Sequence, residues 1–175
     1  MSFTIWLTGL PGSGKTTIAV ALGDFLQRNG LAYEILDGDT VRKTLCSDLG
    51  YSPEDRKINA IRVAYICQIL NKHRIISVVS LITPYNHTRK EIRLLLPRLI
   101  EVYVSCPIEI LMKRDPKGLY RRALEGEIEN FTGISAPYEI PESPDVVVRT
   151  DQASVCECVR SIIGTICSKG YLCNT

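Results

Sequence analysis

Hydrophobic residues recur along this chain in short dense runs, separated by longer stretches in which apolar and polar positions mix. The runs are "FTIWLTG", "AYEILDG", "IISVVSLI", "LIEVYVSC" and "DVVVRT", and the third is apolar almost without a break. Dense β-branched runs of this length predict strands buried on both faces. Between them, "GKTTIAVALGDFLQRNG" reads as a helix closed by Gly30. "SPEDRKINAIRVAYICQILNKH" reads as a long helix with Ser52 as N-cap, Pro53 in its first turn and two acids behind it. A last helix is expected from about Gln152 to Cys167. Five strands alternating with helices predict an α/β fold, a parallel sheet covered by helices on both faces.

Sheets of this kind bind ligands at the carboxyl ends of their strands. The glycine loop after the first strand, "DGD" after the second and "TPY" after the third all fall there. Residues 114–144 break the alternation, being rich in charge, glycine and proline with one short helical piece. They read as a lid, a mobile cover rather than a core element. With no repeat, linker or second unit in view, residues 1–175 are expected to form one domain.

Composition narrows the choice of partner. A hydrophobic content of 45% with 23% charged residues fits a soluble globular protein. A net charge of +2 gives no reason to expect nucleic acid or a membrane surface as partner, so any attraction for anions must be local. No apolar stretch reaches the roughly 18 residues of a membrane span, and "MSFTIWLTGL" lacks the marks of a signal peptide. The seven cysteines, Cys46, Cys67, Cys106, Cys156, Cys158, Cys167 and Cys173, lack zinc-site spacing. Free thiols in a reducing cytoplasm are the expectation.

"GLPGSGKT", from Gly9 to Thr16, fits the G-x-x-x-x-G-K-[ST] pattern and sits between a strand and a helix. Gly9, Leu10, Pro11, Gly12, Ser13 and Gly14 let the backbone wrap a phosphate with its N–H groups inward, helped by the helix N-terminus at Lys15, Thr16 and Thr17. Lys15 is expected to reach the β- and γ-phosphates of ATP, and Thr16 to ligate Mg²⁺. No guanine-reading N-K-x-D element occurs, and "IISVVS" and "EVYVS" end in serine instead of the acid of a motor ATPase. Phosphoryl transfer to a small acceptor, shielded by the lid, remains.

"LDGDTVR" then acquires a use. Asp39 can orient an acceptor hydroxyl and take its proton. Asp37 suits either the Mg²⁺ shell or the cap of the next helix, and Arg42, about a turn further on, suits an anionic acceptor. Arg56 and Asn59 share a helix face, either as an anion-binding pair or as a solvated surface. Lys117 and the isolated Phe131 stand in the lid, where Phe131 offers either a ring to stack on or a small packing contact.

Taken together, "GLPGSGKTT", "LDGDTVR", "LGYSPEDRKINAIR", "LITPY", "RDPKGLYRRA" and "FTGISAPYEIP" resemble the adenylyl-sulfate kinases in order and spacing, from about Thr4 to Asp145. The resemblance implies a P-loop kinase fold. It also implies transfer of the ATP γ-phosphate to the 3′-hydroxyl of adenosine 5′-phosphosulfate, with Mg²⁺, and allows a homodimer. It puts Asp39 and Asp37 near the acceptor hydroxyl, and Arg42, Arg56 and Asn59 on the acceptor's charged groups. Tyr51, where the family usually has phenylalanine, would sandwich the acceptor adenine with Phe131; Lys117, Ile82 and Thr83 would also face the acceptor. Thr83 replaces the family's usual serine, Asn86 and His87 replace a more basic stretch, and Ser135 replaces a common acid. Without a sulfurylase-like region, a stand-alone kinase is the expectation. The rivals are a P-loop kinase for gluconate, shikimate or a nucleoside, and a catalytically silent nucleotide-binding regulator.

Overall fold

The computed structural model describes residues 2–172, so Cys173 lies outside the described residues. Five strands form one parallel sheet: β1 (Thr4–Thr8), β2 (Tyr33–Asp37), β3 (Ile76–Ser80), β4 (Leu99–Ser105) and β5 (Val146–Arg149). Their spatial order is β2-β3-β1-β4-β5, so the loop after β1 opens at the centre of the sheet. The helices are α1 (Lys15–Arg28), α2 (Gly38–Lys43), α3 (Pro53–Lys72), α4 (Asn86–Leu95), α5 (Ile108–Arg114), α6 (Leu119–Leu124) and α7 (Val155–Ser168).

Every residue of β1 and β3 is buried, as continuous apolar strands require. Alternation within β1 divides the core. Phe3, Ile5 and Leu7 pack with Ile18, Leu22 and Ile162 under α1 and α7. Trp6 turns to the other face and packs with Ala60, Val63 and Ile92 of α3 and α4. Each such side chain contributes about 1.5–3 kcal/mol when fully buried, so the central strands anchor the loops at their ends. Edge strands β2 and β5 are only partly buried.

The long helix starts where its sequence predicts. Ser52 accepts from the Asp55 N–H at 3.1 Å and Asp55 returns to the Ser52 N–H at 3.3 Å, a reciprocal cap. The last helix begins later than Gln152, at Val155, because Ser154 and Glu157 form a second such cap. No helix among the described residues is long and apolar enough to cross a membrane. The lid is more than a loose cover: α6 carries Tyr120 and Ala123 into a third small core with Cys106, Leu111 and Phe131.

Candidate active site

The loop between β1 and α1 is shaped by glycine. A Cβ at Gly9 would fall 2.4 Å from the Val104 carbonyl oxygen, and Gly14, the residue before α1, has φ of 96° in the left-handed region. No side chain caps α1, so the first-turn N–H groups of Lys15, Thr16 and Thr17 have no partner within the helix and face the loop's hollow. Lys15 is buried and donates to the carbonyls of Gly9 at 2.9 Å and Leu10 at 2.8 Å. Burial pulls its pKa down to about 7, against the raising effect of the negative Asp37 and Asp39. The loop is braced from outside, by the Thr150 hydroxyl on the Ser13 carbonyl at 2.9 Å and by the Tyr120 hydroxyl on the Pro11 carbonyl at 2.8 Å.

Asp37 takes the cap of the next helix, one of the two duties its sequence left open, and also engages Thr16. One carboxylate oxygen accepts the Asp39 N–H at 3.0 Å and caps α2. The other accepts the Thr16 hydroxyl at 2.9 Å, with the Ser80 hydroxyl 3.3 Å from the same oxygen of Thr16. Gly38 is the first residue of α2, and a Cβ there would sit 3.1 Å from the Ser80 carbonyl oxygen. Asp39 projects from the first turn of α2 and pairs with Lys117 of the lid at 2.9 Å. Both groups are largely exposed, and an exposed pair is worth about 0–1 kcal/mol. Lys117 is therefore easily drawn to another anion.

Arg42 and Arg56 converge on Tyr51. The Arg42 guanidinium donates to the Gly50 carbonyl and lies 4.8 Å from the Tyr51 ring centroid. Arg56 donates to the Tyr51 carbonyl at 3.0 Å and to the Asn130 carbonyl at 2.6 Å, with its guanidinium 5.6 Å from the same ring. A solvated-face reading of Arg56 and Asn59 fails, because both are buried. Burial holds the Arg56 pKa below the usual arginine range, and Asn59 Oδ1 has no hydrogen-bond partner among the described residues. Two buried polar groups beside an exposed aromatic ring suit an anionic, flat ligand.

Of its two sequence readings, Phe131 takes the packing contact and not the exposed ring. Phe131 is not exposed: it is 8% accessible and meets Tyr120 edge-on with ring centroids 5.1 Å apart. Tyr51, its expected counterpart, is 58% exposed. Thr83 is buried, and its hydroxyl accepts the Trp6 indole N–H at 2.9 Å. The neighbouring Ile82 carbonyl accepts the Thr8 hydroxyl at 2.6 Å.

Sequence reasoning passed over Thr150. Beside the start of α1, a cavity of about 190 Å³ is lined by Gly14, Thr17, Arg114, Thr150 and Ala153. Two of these lining residues are bonded to each other, Arg114 donating to the Thr150 carbonyl at 3.0 Å. Thr150 follows β5, and a loop after the last strand was the available signal. A larger open cleft of about 720 Å³ between the lid and β4 touches the phosphate loop only through Leu10 and reaches neither acid.

Known proteins match this arrangement over most of the chain. The sequence profile of the adenylylsulphate kinase family matches residues 1–149. The adenylyl-sulfate kinase of Synechococcus sp. (strain JA-3-3Ab) is 46% identical over 169 residues, 97% of this chain and 96% of its own. That of Chloroflexus aurantiacus is 49% identical over 162 residues, 93% of this chain and 87% of its own. The solved Mycobacterium tuberculosis APS kinase in complex with AMPPNP and APS superposes with a TM-score of 0.91 at 35% identity, covering 94% of this chain and 97% of that one. With a phosphate-binding loop, two acids and two convergent arginines on one strand-end surface, the chain belongs to the adenylylsulphate kinase family.

Proposed function

We propose that this chain transfers the γ-phosphate of ATP to the 3′-hydroxyl of adenosine 5′-phosphosulfate, giving 3′-phosphoadenylyl sulfate and ADP. The convergence of Arg42 and Arg56 on Tyr51 carries the reading. It offers two cations and a ring to an acceptor that has both a charged tail and a base. The relatives' names and the ligands of the M. tuberculosis structure support the same acceptor.

The loop from Gly9 to Thr17 cradles the ATP phosphates. The Arg114–Thr150 cavity is the place for the donor base. Mg²⁺, arriving with ATP, neutralises charge on the β- and γ-phosphates when bound. The Thr16 hydroxyl and Asp37 carboxylate are hard oxygen donors 2.9 Å apart and fit that ion. Among the described residues no group of three or more His, Cys, Asp or Glu could hold a metal; Thr16 and Asp37 would be this chain's own contribution to holding the ion. Asp39 orients the 3′-hydroxyl and takes its proton as the new O–P bond forms and the β–γ bridge breaks, releasing ADP. Arg42, Arg56, Asn59 and Lys117 hold the acceptor's anionic and polar groups. Tyr51 stacks on the adenine, and Phe131 completes that wall if the lid shifts. Ile82 and Thr83 line the acceptor side by their main chain. Residues 1–175 act as one cytoplasmic domain under a lid at 114–144, able to pair as a homodimer.

The test is ADP release measured with ATP and, in turn, adenylyl sulfate, gluconate, shikimate and a nucleoside. Turnover with adenylyl sulfate alone is expected; turnover with any of the others in its place overturns the reading. The absence of turnover with every acceptor favours the silent regulator.

Arg56→Ala is expected to raise the acceptor KM far more than the ATP KM. A charge-assisted contact is worth about 1.5–3 kcal/mol, roughly a 10- to 150-fold loss. Equal effects on both substrates mean that releasing the Tyr51 and Asn130 carbonyls has disturbed the fold instead.

Thr83→Ala is expected to keep most of the activity, and stopped reactions should contain no phosphothreonine. The hydroxyl is engaged by Trp6 and buried, so direct transfer has no use for it as an intermediate. Label on Thr83 that chases into product would overturn direct transfer.

A further inference from the structure

The mechanism leaves one buried cation unused. Arg89, in the first turns of α4, is 4% exposed. Its counter-charge is Glu101 of β4, with Nε 3.5 Å from a carboxylate oxygen, and Glu101 is shared with Arg93 at 2.8 Å. A buried guanidinium that needed only neutralising could stop there. This one donates three further hydrogen bonds, one within its own helix and two that reach separate segments. One arm donates to the carbonyl of Thr83. The other donates to Asn86 Oδ1 at 2.6 Å and to the carbonyl of Glu139, at the far end of the lid.

The segments so joined are those that frame the acceptor. Thr83 has φ of 44°, in the left-handed region, a conformation that is strained for a β-branched residue and persists only where its surroundings dictate it. Here the surroundings are Arg89 on its carbonyl and Trp6 on its hydroxyl. The lid's return arm is fixed to the same loop: the Glu139 N–H donates to the Pro84 carbonyl at 2.8 Å. The Tyr138 hydroxyl lies 3.0 Å from the Thr8 hydroxyl, which itself donates to the Ile82 carbonyl. The Arg89 guanidinium also faces the Tyr138 ring, 5.7 Å from its centroid. None of these bonds touches the Gly9–Thr17 loop.

We propose that Arg89 is a positioning residue for the acceptor side of the reaction, locking the Ile82–Thr83 loop and the lid's return arm into one rigid frame. The proposal rests on the functional reading above. Its chemistry is the planar fork of arginine, which reaches Thr83, Asn86 and Glu139 together. A lysine keeps the charge that Glu101 requires but cannot span the three acceptors.

The experiment compares wild type with Arg89→Lys in steady-state kinetics and tryptophan fluorescence. Trp6 is the only tryptophan of the chain and bonds Thr83, so its emission reports on this loop. In Arg89→Lys, kcat/KM for adenylyl sulfate should fall about tenfold or more while the ATP KM stays within about twofold, and Trp6 emission should change. Constants for both substrates falling in proportion, or unaltered kinetics and emission, overturn the proposal alone, since the wild type remains an adenylyl-sulfate kinase. A wild type that does not use adenylyl sulfate removes the functional reading and this proposal with it. If Arg89→Lys does not fold, Asn86→Ala removes one acceptor of the fork and no buried charge. A selective rise of roughly threefold in the adenylyl-sulfate KM then supports the proposal, and unchanged constants overturn it.

Discussion

Lys15→Ala is expected to abolish phosphoryl transfer. The variant loses a full positive charge beside the β- and γ-phosphates, where charge builds as they separate. Removing one neutral oxyanion donor in other enzymes costs about 10²–10³ in kcat, so a residual rate of about a thousandth or less is the expectation for this cation. The structure adds a second readout. With its pKa near 7 through burial, the Lys15 amine is increasingly deprotonated as pH rises above 7. Bound phosphates favour the charged form and raise that pKa. ATP binding should therefore take up a proton between the two values, and ATP affinity should fall as pH rises from about 7 towards 9. Calorimetric titration in two buffers of different ionisation heat measures the uptake, which Lys15→Ala should lack. Near-normal turnover of the variant would refute the assignment of the loop.

Asp39→Asn should act on the chemical step and leave ATP binding nearly intact. The amide keeps the size of the carboxylate and can still orient a hydroxyl, but it cannot take the proton. General-base help is typically worth 10²–10⁴-fold, so a kcat loss on the order of 10²-fold or more is expected. Folding should hardly notice. The pair with Lys117 is exposed and worth about 0–1 kcal/mol, a Tm change of no more than about 4 °C. A loose transition state asks little of a base. If the loss is smaller, the role of Asp39 is in placing Mg²⁺, and the Mg²⁺ dependence of the rate should shift. A variant with normal kcat and a normal Mg²⁺ requirement would leave Asp39 as a first-turn acid of α2 and no more.

What could be read from the sequence was local in its physics. The left-handed Gly14 and the uncapped start of α1 are consequences of letters within a few residues of one another. The same holds for the Ser52 cap of α3. The cap of α7 obeys the same rule through Ser154 and Glu157, and attention to that spacing would have moved the helix start from Gln152 to Val155. The capping duty of Asp37 was foreseeable too, because it uses a neighbour two residues along the chain.

Burial and partnership across the fold were not foreseeable in this way. A packing contact was one of the two readings open for Phe131, but its partners, Tyr120 and Leu111 among them, are fixed only once α5 and α6 fold over. Arg56 and Asn59 could be read as an anion-binding pair or a wet helix face, and burial, with the Asn130 carbonyl on Arg56, removed the second. Arg89 had no local sign at all.

Strand runs, helix caps and the phosphate loop were determined by the sequence alone, because each depends on the backbone of one continuous segment. The meeting of Trp6, Thr83, Arg89, Glu101 and Glu139 was decided only by the tertiary structure. Parallel neighbours such as β1, β3 and β4 are joined by crossovers, and their register, Trp6 opposite Val79 on one side and Glu101 on the other, is set by packing both faces at once. No window of the sequence contains that information, since the side chains that meet are brought together by the whole core.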